Sequence, residues 1–260
     1  MLKFILGLSF WQGVILTTVT VGLSGLVVIL VAKKYLSPHI EKQHEKIGRL
    51  LFRVTASLIA FLISLSYANE RVAQSKIMDT LEQEASLIGV AYLLLEEFDS
   101  QETEQISSKL TEYISYTIDD KWEAINSDPY YSSGTQSLRE AYSMVLSLTP
   151  SSRKEQIIQT ELLGSFDRII QLMQVRIYSN PILMPNLIYI LCIGMVFMWI
   201  FYSVYKIDVI SLGFISLYNL FLGVLLYFVF ALSNPLTGPM KINAHAFEII
   251  QEKALDPGIK

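Results

Sequence analysis

The chain has 260 residues, 52% of them hydrophobic and only 17% charged, with a net charge of −4. Soluble domains carry nearer a quarter charged residues, and here the apolar excess comes in long blocks, so an ordinary soluble globule is excluded. The acidic balance excludes a nucleic-acid partner, which needs clustered cations to displace counterions, and the single cysteine, Cys192, excludes an internal disulfide.

The first apolar block runs from Phe10 to Ala32 and ends at Lys33-Lys34. It is uncharged and long enough to cross a bilayer with some tilt. A secretory signal is the rival reading, with Lys3 as its basic start. The run is longer than a signal's apolar core, however, and no small-x-small cleavage site precedes Lys33, so a retained span is expected. The loop 33–49 follows, with Lys33, Lys34, Lys42, Lys46 and Arg49 against Glu41 and Glu45. His39, Glu41 and His44 sit together in it, but their spacing fits no familiar metal site and reads as a solvated loop.

From Arg49 to Phe98 there is no proline and one glycine, Gly89. Leu50 to Ala68 is apolar enough for a second span, and the rest keeps the helical period while turning acidic. One helix is therefore expected, about 75 Å long against about 30 Å of hydrocarbon, starting in lipid and ending in a water-exposed domain. On its membrane half, Arg53, Ser57, Ala60, Ser64, Tyr67 and Arg71 recur every three or four residues and share one side. Intramembrane arginine faces a partner or a water path, so copies ringed about an axis would line an anion-permeable pore with Arg53, Ser57, Ser64 and Tyr67. Against this, Arg53 can snorkel to the interface, and Ser57 and Ser64 can bond to a neighbouring helix.

Residues 69–186 carry 18 acidic and 9 basic side chains and read as helix throughout. Ile77, Leu81, Ile88, Tyr92 and Leu95 make the first apolar stripe, ending at Asp99-Ser100 with Glu102 set for a capping box on Asp99. Ile106, Leu110, Tyr113, Ile114, Ile118, Trp122 and Ile125 make the second. After a loop of turn formers come Leu138, Tyr142, Val145 and Leu148. The fourth helix is expected to open at Thr149-Pro150 and to carry Ile157/Ile158, Leu162, Phe166, Ile169/Ile170, Met173 and Ile177 up to Asn180-Pro181. Four such stripes pack most simply as a four-helix bundle.

Two more spans follow, Leu187–Tyr205 and Val209–Leu232, joined by Lys206-Ile207-Asp208. Trp199, Tyr202 and Tyr205 form an expected interfacial belt. Thr18, Gly22 and Gly25 on the first span, and Ser216, Asn219, Gly223 and Tyr227 on the fourth, are ridges for close helix packing. Residues 233–260 read as a tail opened by Asn234-Pro235. The expected class is an all-α, four-span membrane protein: 1–68 with two spans, 69–186 as an extramembrane helical domain, 187–232 with two spans, then the tail. Basic residues in the short loops place those loops in the cytoplasm, and hence the large domain outside, in a multi-pass plasma (inner) membrane protein.

Catalytic signatures are lacking: there is no HExxH, P-loop, GxSxG or helix-opening GxGxxG, so neither an enzyme nor a cofactor is expected. What remains is a set of ordered local patterns. His44 and Gly48 lead into the second span; Glu82, Glu84 and Ala85 precede Tyr92; Leu110, Tyr113 and Asp119-Asp120 precede Trp122. Arg168 and Arg176 then precede Pro185, and Asn234-Pro235-Leu236-Thr237-Gly238 comes before Phe247. With these residues the chain resembles the bestrophin-like domain family, mostly bacterial four-span membrane proteins of unknown function. It departs in having Glu45-Lys46 where the family has Asn-Asp, and Ser233-Asn234-Pro235-Leu236 for an Asp-Arg-Pro-Phe-type ending. The resemblance implies family positions at His44, Gly48, Glu84, Trp122, Arg176, Pro185, Pro235 and Gly238. Taken with the stripe of Arg53, Ser57, Ser64 and Tyr67, the resemblance leads to the expectation of a lipid-embedded, homo-oligomeric channel or transport component with an anion as the permeant. True bestrophins are pentameric anion channels with a cytoplasmic large domain, opposite to the placement read from the basic loop. The alternative is a non-transporting sensor or scaffold whose outer domain binds a partner.

Overall fold

A computed structural model describes residues 7–36, 38, 40–98, 100, 102–118, 133–178, 185–206, 208–235 and 239–255. Among the described residues there are eight helices and no strand. In chain order they are α1 (Phe10–Leu36), α2 (Lys42–Glu96), α3 (Glu102–Ile118), α4 (Ser133–Ser147), α5 (Arg153–Tyr178), α6 (Pro185–Tyr202), α7 (Val209–Leu232) and α8 (His245–Leu255). α2 is continuous over 55 residues, with no break at Tyr67–Arg71. It starts at Lys42 rather than Arg49, and α1 runs on to Leu36, so most of the segment 33–49 expected as a loop is helical, with no proline between Lys42 and Arg49 to stop it.

The chain divides into two compact units, Met1–Gln74 with Pro181–Lys241, and Ser75–Asn180 with Ile242–Lys260. Among the described residues three helices, α1, α2 and α7, are long and apolar enough to cross a membrane; α6 adds a shorter apolar stretch, Tyr189–Tyr202. In the first unit α1 packs on α7 and α6. Its core holds Val21, Ile29, Ile59, Ile63, Leu191, Met195, Met198, Trp199, Ile215 and Leu222. Glycines make the closeness achievable. A Cβ on Gly223 would stand 2.6 Å from the Thr18 Cα, and one on Gly48 would stand 2.9 Å from a Val204 methyl. The ridge at Thr18, Gly22 and Gly25 thus packs on α7, as small residues in lipid allow. Asp208 caps α7, its carboxylate accepting from the Ser211 N–H at 2.7 Å.

The second unit buries the expected stripes: Ile77, Leu81, Ile88 and Leu95 on α2; Ile106, Leu110, Tyr113 and Ile114 on α3; Leu138 and Val145 on α4; Leu162, Phe166, Ile169 and Met173 on α5. Three details differ from expectation. α5 begins at Arg153 rather than after Thr149-Pro150, because Ser152 and Glu155 form a capping box. The Glu155 N–H donates to Ser152 Oγ at 3.2 Å while its carboxylate accepts from the Ser151 N–H at 2.7 Å. At the start of α3 it is Ser100 whose Oγ accepts from the Glu102 N–H at 3.2 Å; Asp99 lies outside the described residues. Finally, the segment read as a tail contains α8. Phe247 is fully buried, Ile250 lies against Gly89, and Gln251 Nε2 donates to Ser115 Oγ at 2.9 Å, so α8 completes the unit built by α2 and α3.

Candidate functional site

On the membrane half of α2, successive side chains turn by about 100°, so Ser57, Ala60, Ser64, Tyr67 and Arg71 fall within about 40° of Arg53. All six are exposed. Ile59, Ile63 and Ser66, buried against the rest of the unit, centre roughly 110° to one side. Val54, Leu58, Phe61 and Leu65, all exposed and apolar, centre roughly 110° to the other. The helix therefore has a packed sector, an apolar sector of the kind lipid covers, and a small, polar sector between them. Ser64 Oγ donates to the Ala60 carbonyl at 2.9 Å, so its hydroxyl is satisfied within the helix.

At one end of this face, the Arg49 guanidinium lies 5.1 Å over the Tyr205 ring and pairs with Glu45. Phe52 and Tyr202 complete the aromatic cluster with Tyr205. His44 accepts the Glu41 N–H on Nδ1 at 3.2 Å, a bond at the start of α2. Trp199, expected in an interfacial belt, instead turns inward. Its Nε1–H donates to the Asn219 side-chain oxygen at 2.9 Å, the partner that a buried amide in an apolar unit requires. Asn219 Nδ2 and the Tyr227 hydroxyl on the same seam have no hydrogen-bond partner among the described residues.

The second unit holds a buried charged cluster. Arg176 donates through Nε to Glu84 Oε2 and through Nη2 to Oε1, both at 3.0 Å. The Tyr113 hydroxyl donates to Glu84 Oε1 and accepts from Arg176 Nη2 at 3.0 Å. Glu84, Tyr113 and Arg176 expose 0%, 2% and 4% of their surfaces, so α2, α3 and α5 are joined by a desolvated, bidentate ion pair. Burial and the adjacent Glu84 carboxylate push the Tyr113 phenol well up. Burial alone would lower the Arg176 pKa, but the charges and hydrogen bonds of Glu84 and Tyr113 together outweigh it and the shift is upward. Both Glu84 oxygens are committed to hydrogen bonds, which suits the cluster to fastening helices rather than moving protons.

Of the family positions, Glu84 and Arg176 thus meet, with Tyr113 between them. Gly48 supports the close approach to Val204, Pro185 opens α6, and Pro235 is buried just after α7. Trp122 and Gly238 lie outside the described residues.

These features define a helical membrane protein with a separately packed helical unit. The family model for the Bestrophin-like domain matches residues 19–247, and the chain belongs to that family. No curated protein matches it. Among solved structures, the crystal structure of a membrane protein is similar over 95% of this chain and 99% of its own, with a TM-score of 0.53 at 14% identity. That likeness is one of fold.

Proposed function

We propose that the chain is a four-span, homo-oligomeric channel or transport component of the bacterial inner membrane, with α2 lining the pathway and an anion as the permeant. The observation that carries this reading is the exposed small, polar sector of α2, flanked by packed and lipid-type sectors. Arg53 alone is weak support. It lies only about 4.5 Å inside the apolar run, close enough to reach the interface. The argument rests on the whole face. Ser57, Ala60 and Ser64 follow one another at steps of three and four along it, while Arg53 and Arg71 stand at its two ends. A second copy set against that sector leaves hydroxyls and backbone, not bulk, along the shared passage. Membership of the Bestrophin-like family supports the same class. α6 supplies the fourth span, and the short basic loops set the 69–186 region outside.

The test is anion flux from liposomes holding the purified protein. Flux is expected, with a several-fold drop for Arg53→Ala and near-abolition for Ser64→Leu, whose side chain would fill the passage. Wild-type vesicles that stay tight, or flux indifferent to both changes, would remove this reading. A sensor or scaffold draws support from the continuity of α2 from lipid into the second unit. It predicts instead stable co-purification of an envelope protein, lost on changing the surface of α4.

A further inference from the structure

Three close approaches fix the levels of the first unit's helices. Gly13 meets Tyr227 and Gly223 meets Thr18, so α1 and α7 run antiparallel; Gly25 meets both Asn219 and Trp199, which sets α6 alongside. Counting on from Gly25, Lys34 lies about 13 Å further along α1, and Lys206 follows Trp199 by a comparable distance on the α6–α7 link. Lys33, Lys34 and Lys206 therefore gather at one level, that of the Asp208-capped start of α7.

Below that level α1 and α7 each expose an apolar stripe that leads to a lysine. On α1, Leu23, Val27 and Leu30 are exposed at helical spacing and lead to Lys34. On α7, Phe221, Leu217, Phe214 and Ile210 are exposed in the same way and lead back to Lys206. Among the described residues none of the three lysines pairs with a carboxylate. The nearest acid in sequence, Asp208, is committed to its cap at 2.7 Å from the Ser211 nitrogen. An apolar strip about 15 Å long with an unneutralised ammonium at its head has the complementary form of an acyl chain under a phosphate.

We infer that Lys33, Lys34 and Lys206 form a headgroup collar that retains anionic diacyl phospholipid, with the acyl chains lying on the exposed stripes of α1 and α7. The collar works in whichever leaflet it faces and does not use the α2 sector, so it stands apart from the proposed pathway.

Native mass spectrometry of the full-length, delipidated protein, titrated with dioleoylphosphatidylglycerol or dioleoylphosphatidylcholine, tests it. The wild type should hold the anionic lipid in preference, and each Lys→Gln change at 33, 34 or 206 should reduce that preference about fivefold. The triple Lys→Arg variant should keep the preference, as should Lys154→Gln on α5. Equal retention of the two lipids by the wild type overturns the collar. So does a triple Lys→Gln variant that still prefers the anionic lipid, or one that loses both lipids alike.

Discussion

Glu84 and Arg176 matter because of where charge is placed rather than how much there is. On α2 the buried positions Ile77, Leu81, Ile88, Ala91 and Leu95 step by three and four, and Glu84 occupies the slot between Leu81 and Ile88. On α5, Leu162, Phe166, Ile169 and Met173 lead by the same steps to Arg176. Opposite charges in two apolar stripes of one unit must meet, since either alone would be an uncompensated buried ion. The sequence carries that signal at Glu84 and Arg176, inside stripes whose apolar members dominate the pattern. Breaking one side leaves the other buried and unpaired, so Arg176→Met should destabilise the protein by about 3–5 kcal/mol. Adding Glu84→Leu to it removes the stranded carboxylate and should restore much of the loss. Thermal unfolding of the full chain in detergent, followed by circular dichroism, checks both. A double variant no more stable than Arg176→Met would show that the cluster does more than neutralise itself.

Element boundaries were legible wherever local chemistry decides them. α7 spans Val209–Leu232 as its uncharged run dictates, and α2 is unbroken because nothing between Lys42 and Glu96 forces a stop. α5 shows two local signals competing: a proline at Pro150 promised one start, and the bonds that Glu155 makes with Ser151 and Ser152 set another three residues on. Glycines divide in the same way by what a methyl would meet. Gly164 lies exposed within α5 with nothing within 4 Å of a Cβ, whereas a Cβ at Gly223 would press on the Thr18 backbone. Gly164→Ala should therefore stabilise by about 0.5–1 kcal/mol through helix propensity and a less free unfolded chain. Gly223→Ala should destabilise by about 1–3 kcal/mol, because α1 and α7 must separate to admit it. The two melting temperatures measured side by side, moving in opposite directions, are the check; a shift of the same sign in both would refute the close α1–α7 seam.

At the scale of the whole molecule, the apolar blocks were legible because hydropathy is a local, additive property, and the all-helical class followed from it. The role of residues 242–255 was not. α8 is anchored through Phe247, Ile250 and Gln251, and the partners Gly89 and Ser115 lie far away in the chain, so no window of sequence contains the contact. The pairing of Trp199 with Asn219 is hidden for the same reason, with the indole serving a buried amide where a belt was expected. Orientation stands on a different footing, because it depends on Lys33 and Lys34 at the end of α1, on Lys42, Lys46 and Arg49 at the start of α2, and on Lys206. Two introduced cysteines decide it. In a Cys192→Ala background, Gln136→Cys lies on an exposed turn of α4 and Lys46→Cys on the exposed start of α2. A membrane-impermeant maleimide applied to intact spheroplasts should label position 136 and spare position 46, with both labelled after lysis. The reverse pattern would set the large domain in the cytoplasm, as in true bestrophins. The basic loop would then face outward, against the charge bias that governs short loops.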